Sequence, residues 1–401
     1  MSLPIETLVL RRYRSVPSER IEFDNPTFLI GPNGAGKSNV VDAFSFLSEA
    51  MASPLHAVLD RRGGIQAVRN RTSGRSFPPN LGIGVTFGQL NGEVCGGRYS
   101  FELKALKNYG FEVAREQCVA HSLDGRNVWF DRKREEFDSN AGGLGPVLDP
   151  SLLALPMVAA HARFAPVLRL LTGIRSYAID PRKLRELQDP DTGLVLRSDG
   201  SNAASVLAEI ERRSPADMVR ISELLASVVP NTTRVSTVKH GKNLTLDFLQ
   251  EWRRGERSTQ LTFEAFSMSD GTLRAVGLLA AVFQASKPRL TVVEEPEATI
   301  HAGALSTLLD VLRDAAEQTQ LVVTTHSADI LDSDWVRDNH LRVVTWSDGA
   351  TRVATVADSA REAMRQRLMG AGELLRANAL QASDVPDIGT AYQPALFEDV
   401  A

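Results

Sequence analysis

The sequence predicts an α/β fold built around a phosphate-binding loop, and three observations carry that expectation. A buried apolar strand, "TFLI", runs into a glycine-rich loop and then into an amphipathic helix. A second apolar run, "LTVVEEPEA", ends in a pair of acids, where an open α/β sheet presents ligands. A third, "LVVTTHS", ends in a histidine.

The chain has 401 residues, 43% hydrophobic and 23% charged, which suits a soluble globular protein of one large domain or two smaller ones. A net charge of -4 argues against a whole-surface nucleic-acid binder, so any such contact is expected from a local patch. Two cysteines, Cys95 and Cys118, form no CxxC and fit a reducing cytosol. The opening "MSLPIETLVLRRYRSVP" lacks the features of a signal peptide. The longest apolar stretch, "LLALPMVAAHARFAPVLRLL", is broken by His161, Arg163 and Arg169. A cytoplasmic protein without a membrane span is expected.

Along the chain, "IETLVLRRY" and "ERIEFD" read as short strands before the loop. After Ser38, Val40, Phe44, Leu47 and Met51 recur at helical spacing. From about 81 to 130, "IGVTF", "YSFEL" and "VWF" predict an antiparallel sheet, closed by the loop "SNAGGLGP". From about 150 to 230 the pattern turns helical in "SLLALPMVAAHARFAPVLRLL", "SNAASVLAEIERR" and "SPADMVRISELLASVV". Each opens on a serine suited to cap a helix. β-character returns in "RVSTVK", "NLTLDFL" and "QLTFEAF". A helix from Ser269, the strand "LTVV", a helix from about 298 to 317 and the strand "LVVTT" follow. The expected division is 1–145, a helical insertion at 146–230, and 231–401. No repeat and no sustained heptad pattern is present.

Gly31-Pro32-Asn33-Gly34-Ala35-Gly36-Lys37-Ser38 fits GxxxxGK[ST] in full. The glycines let backbone N–H groups turn inward around phosphates, and the following helix adds its positive end. Lys37 would sit between the β- and γ-phosphates, and Ser38 would ligate Mg²⁺. Glu294 stands where an acid holds that metal, directly or through water. Glu295 would orient and deprotonate the attacking water. Ser269-Asp270-Gly271 opens a helix whose N-terminus suits a γ-phosphate. His326, at the end of the next strand, would contact that phosphate or the water.

Cradle, serine-capped helix, strand ending in acids and strand ending in histidine, in this order, resemble the ABC-type ATPase head. The nearer likeness is to the SMC, RecF and OLD branch, through "GPNGAGKSNVVDAFSFL", "SDGTLR", "VVEEPEATIH" and "VVTTHS". "LVLRRYRSV" resembles the branch's N-terminal strand. "SYAIDPRKLRE", "LRSDGSNAASVL" and "GELLRANAL" resemble a group of bacterial AAA-family ATPases, many linked to mobile elements and antiphage defence. The resemblance implies a P-loop NTPase head of the ABC type, with an antiparallel β subdomain and a compact helical insertion. It implies ATP and Mg²⁺ as cofactors. Gly31, Asn33, Gly34, Ala35, Gly36, Lys37, Ser38 and Asn39 would form the cradle. Glu294 matches the Walker B acid, Glu295 the catalytic glutamate and His326 the switch histidine. Ser269 and Gly271 match the signature serine and second glycine, while Asp270 replaces the first glycine and Thr272 the glutamine. His301 matches the histidine of a usual His-Pro pair, with Ala302 in place of the proline. Gln66 and Gln89 have no motif around them, and neither is given the Q-loop role.

In this family the signature serves the nucleotide of the other subunit, so the resemblance implies a homodimer closed around two ATPs with C2 symmetry. The absence of heptads argues against long coiled arms. Asp332-Ser333-Asp334 spells DxD but reads as a solvated turn, so no nuclease is expected in this chain and a separate partner would cut. Basic groups occur at Arg61-Arg62, at Arg69 with Arg71 and Arg75, at Arg182-Lys183 with Arg185, and at Arg253, Arg254 and Arg257. The group near Arg182 is the preferred candidate for DNA. The alternatives are a slow-hydrolysing scaffold that holds an effector and a RecF-like repair ATPase.

Overall fold

A computed structural model describes residues 3–70, 80–90, 94–107, 110–146, 148–254, 257–383 and 394–400. Two units divide the chain. Met1–Arg175, Arg337–Leu368 and Ala377–Ala401 form the first, and Ser176–Val336 with Met369–Arg376 form the second. The segment expected as an insertion is shared between them, because residues up to Arg175 belong to the first unit.

The first unit holds a seven-stranded antiparallel sheet. Its spatial order is Val16–Glu22, Thr7–Tyr13, Asn80–Phe87, Val94–Ala105, Phe111–Ser122, Val128–Lys133 and Glu136–Ser139. The helix Lys37–Ala52 buries Phe44, Phe46 and Leu47 completely. Phe46 stacks on Phe101 of the sheet at 6.2 Å and meets Tyr13 edge-on at 5.9 Å. Thr27–Ile30 pairs in parallel with Leu341–Ser347, which pairs antiparallel with Ala350–Ala354. All four residues of Thr27–Ile30 are buried, as a parallel strand covered on both faces requires.

The stretch 151–171 forms two helices rather than the one its composition suggested, Leu155–Val158 and Ala165–Thr172. Pro156 and Pro166 explain the break. Proline is tolerated in the first turn of a helix and not in its interior, and each begins one of the two pieces. Of the three expected serines only Ser214 holds an N-cap position, and none makes a side-chain cap bond. Ser151 donates to Asp149, Asn202 holds the N-cap position of Ala203–Arg213, and Ser214 precedes Pro215–Val228 without a side-chain cap bond.

In the second unit, helices Ala203–Arg213, Pro215–Val228, Asp270–Phe283 and Ala302–Gln318 accompany two sets of strands. Thr232–His240, Asn243–Arg254 and Arg257–Glu264 form a three-stranded antiparallel sheet. Leu290–Glu294 and Gln320–Thr325 run in parallel, with Glu294 opposite Thr324. The helix expected from about 298 starts at Ala302, after His301 accepts from Gly303 N through Nδ1 at 3.1 Å. Asp332-Ser333-Asp334 is a turn, as read. Among the described residues, no helix is long and apolar enough to cross a membrane.

Glu116 fastens the seven-stranded sheet to the segment after it. Its carboxylate is fully buried and accepts from Tyr99 Oη and from Leu155 N, both at 2.9 Å, with the buried Arg132 guanidinium 4.0 Å away. Burial raises its pKa despite these donors. Glu116→Ala takes away the buried carboxylate facing Arg132 and is expected to cost about 3–5 kcal/mol in urea unfolding. A loss under about 1 kcal/mol would mean the sheet does not depend on this group.

Candidate functional site

In the first unit, the chain leaves Thr27–Ile30 and wraps into a loop before Lys37–Ala52. Gly34 and Gly36 have φ of 83° and 103°, in the left-handed region that favours glycine. A Cβ on Gly36 would lie 1.9 Å from Thr351 Oγ1, and one on Gly31 would lie 2.2 Å from Val344 O. The strand pair 341–354 therefore walls the loop so closely that only glycine fits. Thr351 Oγ1 donates to Ala35 O at 2.9 Å. Lys37, 5% exposed, donates from Nζ to Gly31 O at 2.7 Å and to Pro32 O at 3.2 Å. Gly36 is the N-cap and offers no side chain to the first-turn N–H groups, which suits an anion. Asn33, Gly34 and Ser38 are exposed, while Asn39 donates to Ser15 Oγ at 2.5 Å.

In the second unit, the parallel register brings Glu295 and His326 together. Glu295 follows the strand Leu290–Glu294, and His326 follows Gln320–Thr325. His326 Nδ1 lies 3.5 Å from Glu295 Oε1 and 3.8 Å from Glu297 Oε1. Glu295 has φ of 42°, rare for a non-glycine and more so before a proline. Its N–H donates to Thr324 O at 3.0 Å, which holds this conformation in place. Such strain gathers where a side chain must be aimed. Glu297, a residue the sequence reading did not select, accepts from Thr325 Oγ1 at 2.6 Å and from His326 N at 3.4 Å. It therefore fixes the end of the histidine strand. The only sequence signal for it is its place two residues after Glu295.

The Ser269 turn, expected from the sequence to match the signature, lies in the same unit. Ser269 is the N-cap of Asp270–Phe283 and its hydroxyl accepts from Thr272 N at 3.2 Å. A Cβ on Gly271 would meet Thr299 O at 2.4 Å, so the turn after the acids presses on the signature backbone. Arg274 Nη1 donates to Glu295 O at 3.3 Å, joining the signature helix to the acid's main chain. Arg185 also holds this turn. Its guanidinium lies 2.5 Å from Asp270 Oδ1 and donates to Met268 O at 2.9 Å. Arg185 was read as part of a basic cluster. In the structure Arg182 pairs with Asp180 and Lys183 with Glu186, so every cation of that cluster has a carboxylate partner. Arg61 and Arg62 likewise pair with Glu49, and Arg62 also with Asp42. Arg71 and Arg75 lie outside the described residues, as do the side chains of Arg253, Arg254 and Arg257.

Among the described residues, no group of three or more His, Cys, Asp or Glu could hold a metal by itself. Each unit offers a hard oxygen donor of its own, the exposed hydroxyl of Ser38 in the first and the carboxylate of Glu294 in the second. They suit Mg²⁺, which is commonly held by one or two protein oxygens together with substrate phosphates.

Strands, loop and helices together give an α/β P-loop architecture like that of solved SMC head domains. The structure of "the SmcHead bound to the C-winged helix domain of ScpA" aligns over 90% of this chain and 99% of its own, with TM-score 0.57 at 15% identity. A Pyrococcus furiosus Smc head domain with an extended coiled coil, bound to the C-terminal domain of ScpA, aligns over 92% and 100%, with TM-score 0.54 at 13% identity. The Pyrococcus yayanosii Smc head domain with a coiled coil and joint gives TM-score 0.50 at 11% identity, over 92% and 100%. The sequence matches the family described as "AAA domain, putative AbiEii toxin, Type IV TA system" over residues 27–141 and 156–332. The chain belongs to this AAA domain family. Comparison with curated proteins finds no match.

The fit of Gly36 under Thr351 gives a direct test. Gly36→Ala is expected to cost about 1–3 kcal/mol in chemical unfolding, as overpacking does, and to weaken binding of a fluorescent ATP analogue. Adding Thr351→Ala should recover part of the stability, because the steric clash goes and only the backbone strain remains. Equal stability of the single and double variants would show that Thr351 does not set the fit.

Proposed function

We propose that the protein binds ATP with Mg²⁺ and hydrolyses it in a dimer whose closure is coupled to an effector partner or to DNA. The observation that carries this reading is the Glu295–His326 pair, held at 3.5 Å by a strained backbone at the carboxyl end of two parallel strands. The glycine-walled loop before Lys37 supports nucleotide binding by the same chain.

In this reading the N–H groups of Gly34, Gly36 and Lys37, with the Lys37 ammonium, hold the phosphates, aided by Asn33, Ala35 and Asn39. Ser38 and Glu294 would hold Mg²⁺, which would supply charge neutralisation for the phosphates. Glu295 orients a water and takes its proton as the oxygen attacks the γ-phosphorus. The bond from that phosphorus to the bridging oxygen breaks, and ADP leaves with inorganic phosphate. His326, steadied by Glu297 and Thr325, hydrogen-bonds the water or the γ-phosphate. Ser269 and the N-terminus of its helix, kept close-packed by Gly271, serve the nucleotide of a second copy.

Two of the aligned SMC heads are described as bound to domains of ScpA, which supports partner binding as a use of this fold. The family's description, a toxin of a type IV toxin–antitoxin system, favours an effector or genome-defence setting over DNA repair.

Light scattering on Glu295→Gln tests the reading. The substitution removes the base and should cut turnover about 10²–10⁴-fold while ATP stays bound. Its mass should double with Mg-ATP, and Ser269→Arg added to it should keep it monomeric. An unchanged mass with ATP demonstrably bound would sink the shared-site dimer.

A further inference from the structure

A late segment of the chain lies across the seven-stranded sheet of the first unit. Leu396, 1% exposed, sits over two glycines of strand Asn80–Phe87. A Cβ on Gly82 would come within 2.4 Å of Leu396 Cδ2, and one on Gly84 within 3.0 Å of Cδ1. Neither glycine has a positive φ, so glycine is needed here for space and the pair forms a notch for one aliphatic side chain. Sheet side chains then grip the segment's main chain. Arg11 Nη2 donates to Pro394 O at 2.7 Å, and the Arg98 guanidinium donates to Ala395 O. Gln117 exchanges two hydrogen bonds with the main chain of Glu398, both 2.9 Å. The Arg115 guanidinium lies 4.3 Å over the Phe397 ring. Main-chain grip plus a pocket for one side chain is how proteins read extended peptides.

The segment does not use all that the face offers. Arg11 Nε, Arg98 Nε and Ser100 Oγ are buried without a hydrogen-bond partner. Ser100 is fully buried and Arg98 is 7% exposed. Burial lowers the pKa of both arginines, and Arg11 and Arg20 crowd Arg98 further. The carboxylates facing them are Glu398, 3.5 Å from Arg98 Nη1, and Glu102 beside Arg11. An unsatisfied buried donor is costly, so a ligand with another acceptor there would bind better than the segment does.

We propose that this sheet face is a peptide-binding site, held in cis by residues 394–400, whose partner is an extended protein segment carrying a leucine anchor, an aromatic next to it and an acidic group for Arg11 and Arg98. The notch decides for a peptide over nucleic acid. It seats the two methyl groups of one leucine directly against the Gly82 and Gly84 backbone, a fit to an aliphatic side chain. A partner that enters the site displaces the segment, because both need the same notch.

The test uses the full chain with Leu396→Asp, which ejects the anchor, and a fluorescein-labelled peptide of sequence QPALFEDV. Anisotropy should show saturable binding to the variant, at least 10-fold tighter than to the unmutated chain. Gly84→Leu added to the variant, or aspartate in place of leucine in the peptide, should abolish it. Absence of binding to a variant with native circular dichroism would overturn the proposal. So would displacement of the peptide by a short single-stranded DNA that binds more tightly, which would give the face to nucleic acid. If Leu396→Asp fails to fold, hydrogen exchange on the unmutated chain decides. Excess peptide should speed exchange at least 10-fold in residues 394–400, and no change would overturn the site. A nucleotide-free dimer that Leu396→Asp dissolves would show instead that the segment joins two copies.

Discussion

The second unit depends on the parallel register of Leu290–Glu294 with Gln320–Thr325. With Glu294 opposite Thr324, the next residue on one strand is Glu295 and the second next on the other is His326. A slip by one residue would turn the side chains to opposite faces and separate the pair. The register is secured beyond the last ladder bond, because Glu295 N donates to Thr324 O and Glu297 takes Thr325 Oγ1. The left-handed φ of Glu295 follows from these ties. The chain must turn back at once into Pro296 while its N–H stays on the neighbouring strand. Gly271 then has to be glycine, because the returning turn puts Thr299 O against it. One register thus fixes acid, histidine and signature backbone together.

The first unit reaches the same rigidity by steric walls. Its loop is shaped less by hydrogen bonds than by what cannot fit beside Val344 O and Thr351. Phe44, Phe46 and Leu47 anchor the following helix in the core, so its N-terminus cannot shift to accommodate a larger side chain. Lys37 closes the loop from within through Gly31 O and Pro32 O.

Much of this was legible in the sequence because it is local. A buried strand, a glycine loop and a helix are neighbours in the chain, and so are Ser269 and the helix it caps. The strands ending in Glu294 and in "VVTT" announced themselves by continuous apolar runs. What was not legible depends on distant partners. Thr351 matters only because it lies on Gly36, more than 300 residues earlier. The strands Leu341–Ser347 and Ala350–Ala354 passed unread. Arg185 looked like one member of a basic cluster until Asp270 and Met268 appeared beside it. The broken helix at 151–172 is a different kind of miss. Pro156 and Pro166 were visible within the stretch read as helical, and the proline rule divides it.

Asp270 shows what the distant partners add. An acid in place of the first signature glycine puts a negative charge at a helix N-terminus that, in the proposed dimer, must receive a phosphate. By itself Asp270 would oppose that role. Arg185 reverses the sign. Its guanidinium lies against the Asp270 carboxylate and also bonds Met268 O, so it neutralises the acid and braces the turn from outside the helix. Arg182 adds a further positive field near the same acid. The pair is partly exposed, so its worth to folding is modest, about 0–1 kcal/mol. In the proposed dimer its worth to a bound nucleotide is of another kind, because the charge it cancels would otherwise sit beside the γ-phosphate. Glycine at this position needs no such partner. The aspartate and the arginine therefore belong together, as one ion pair braced across the start of this helix.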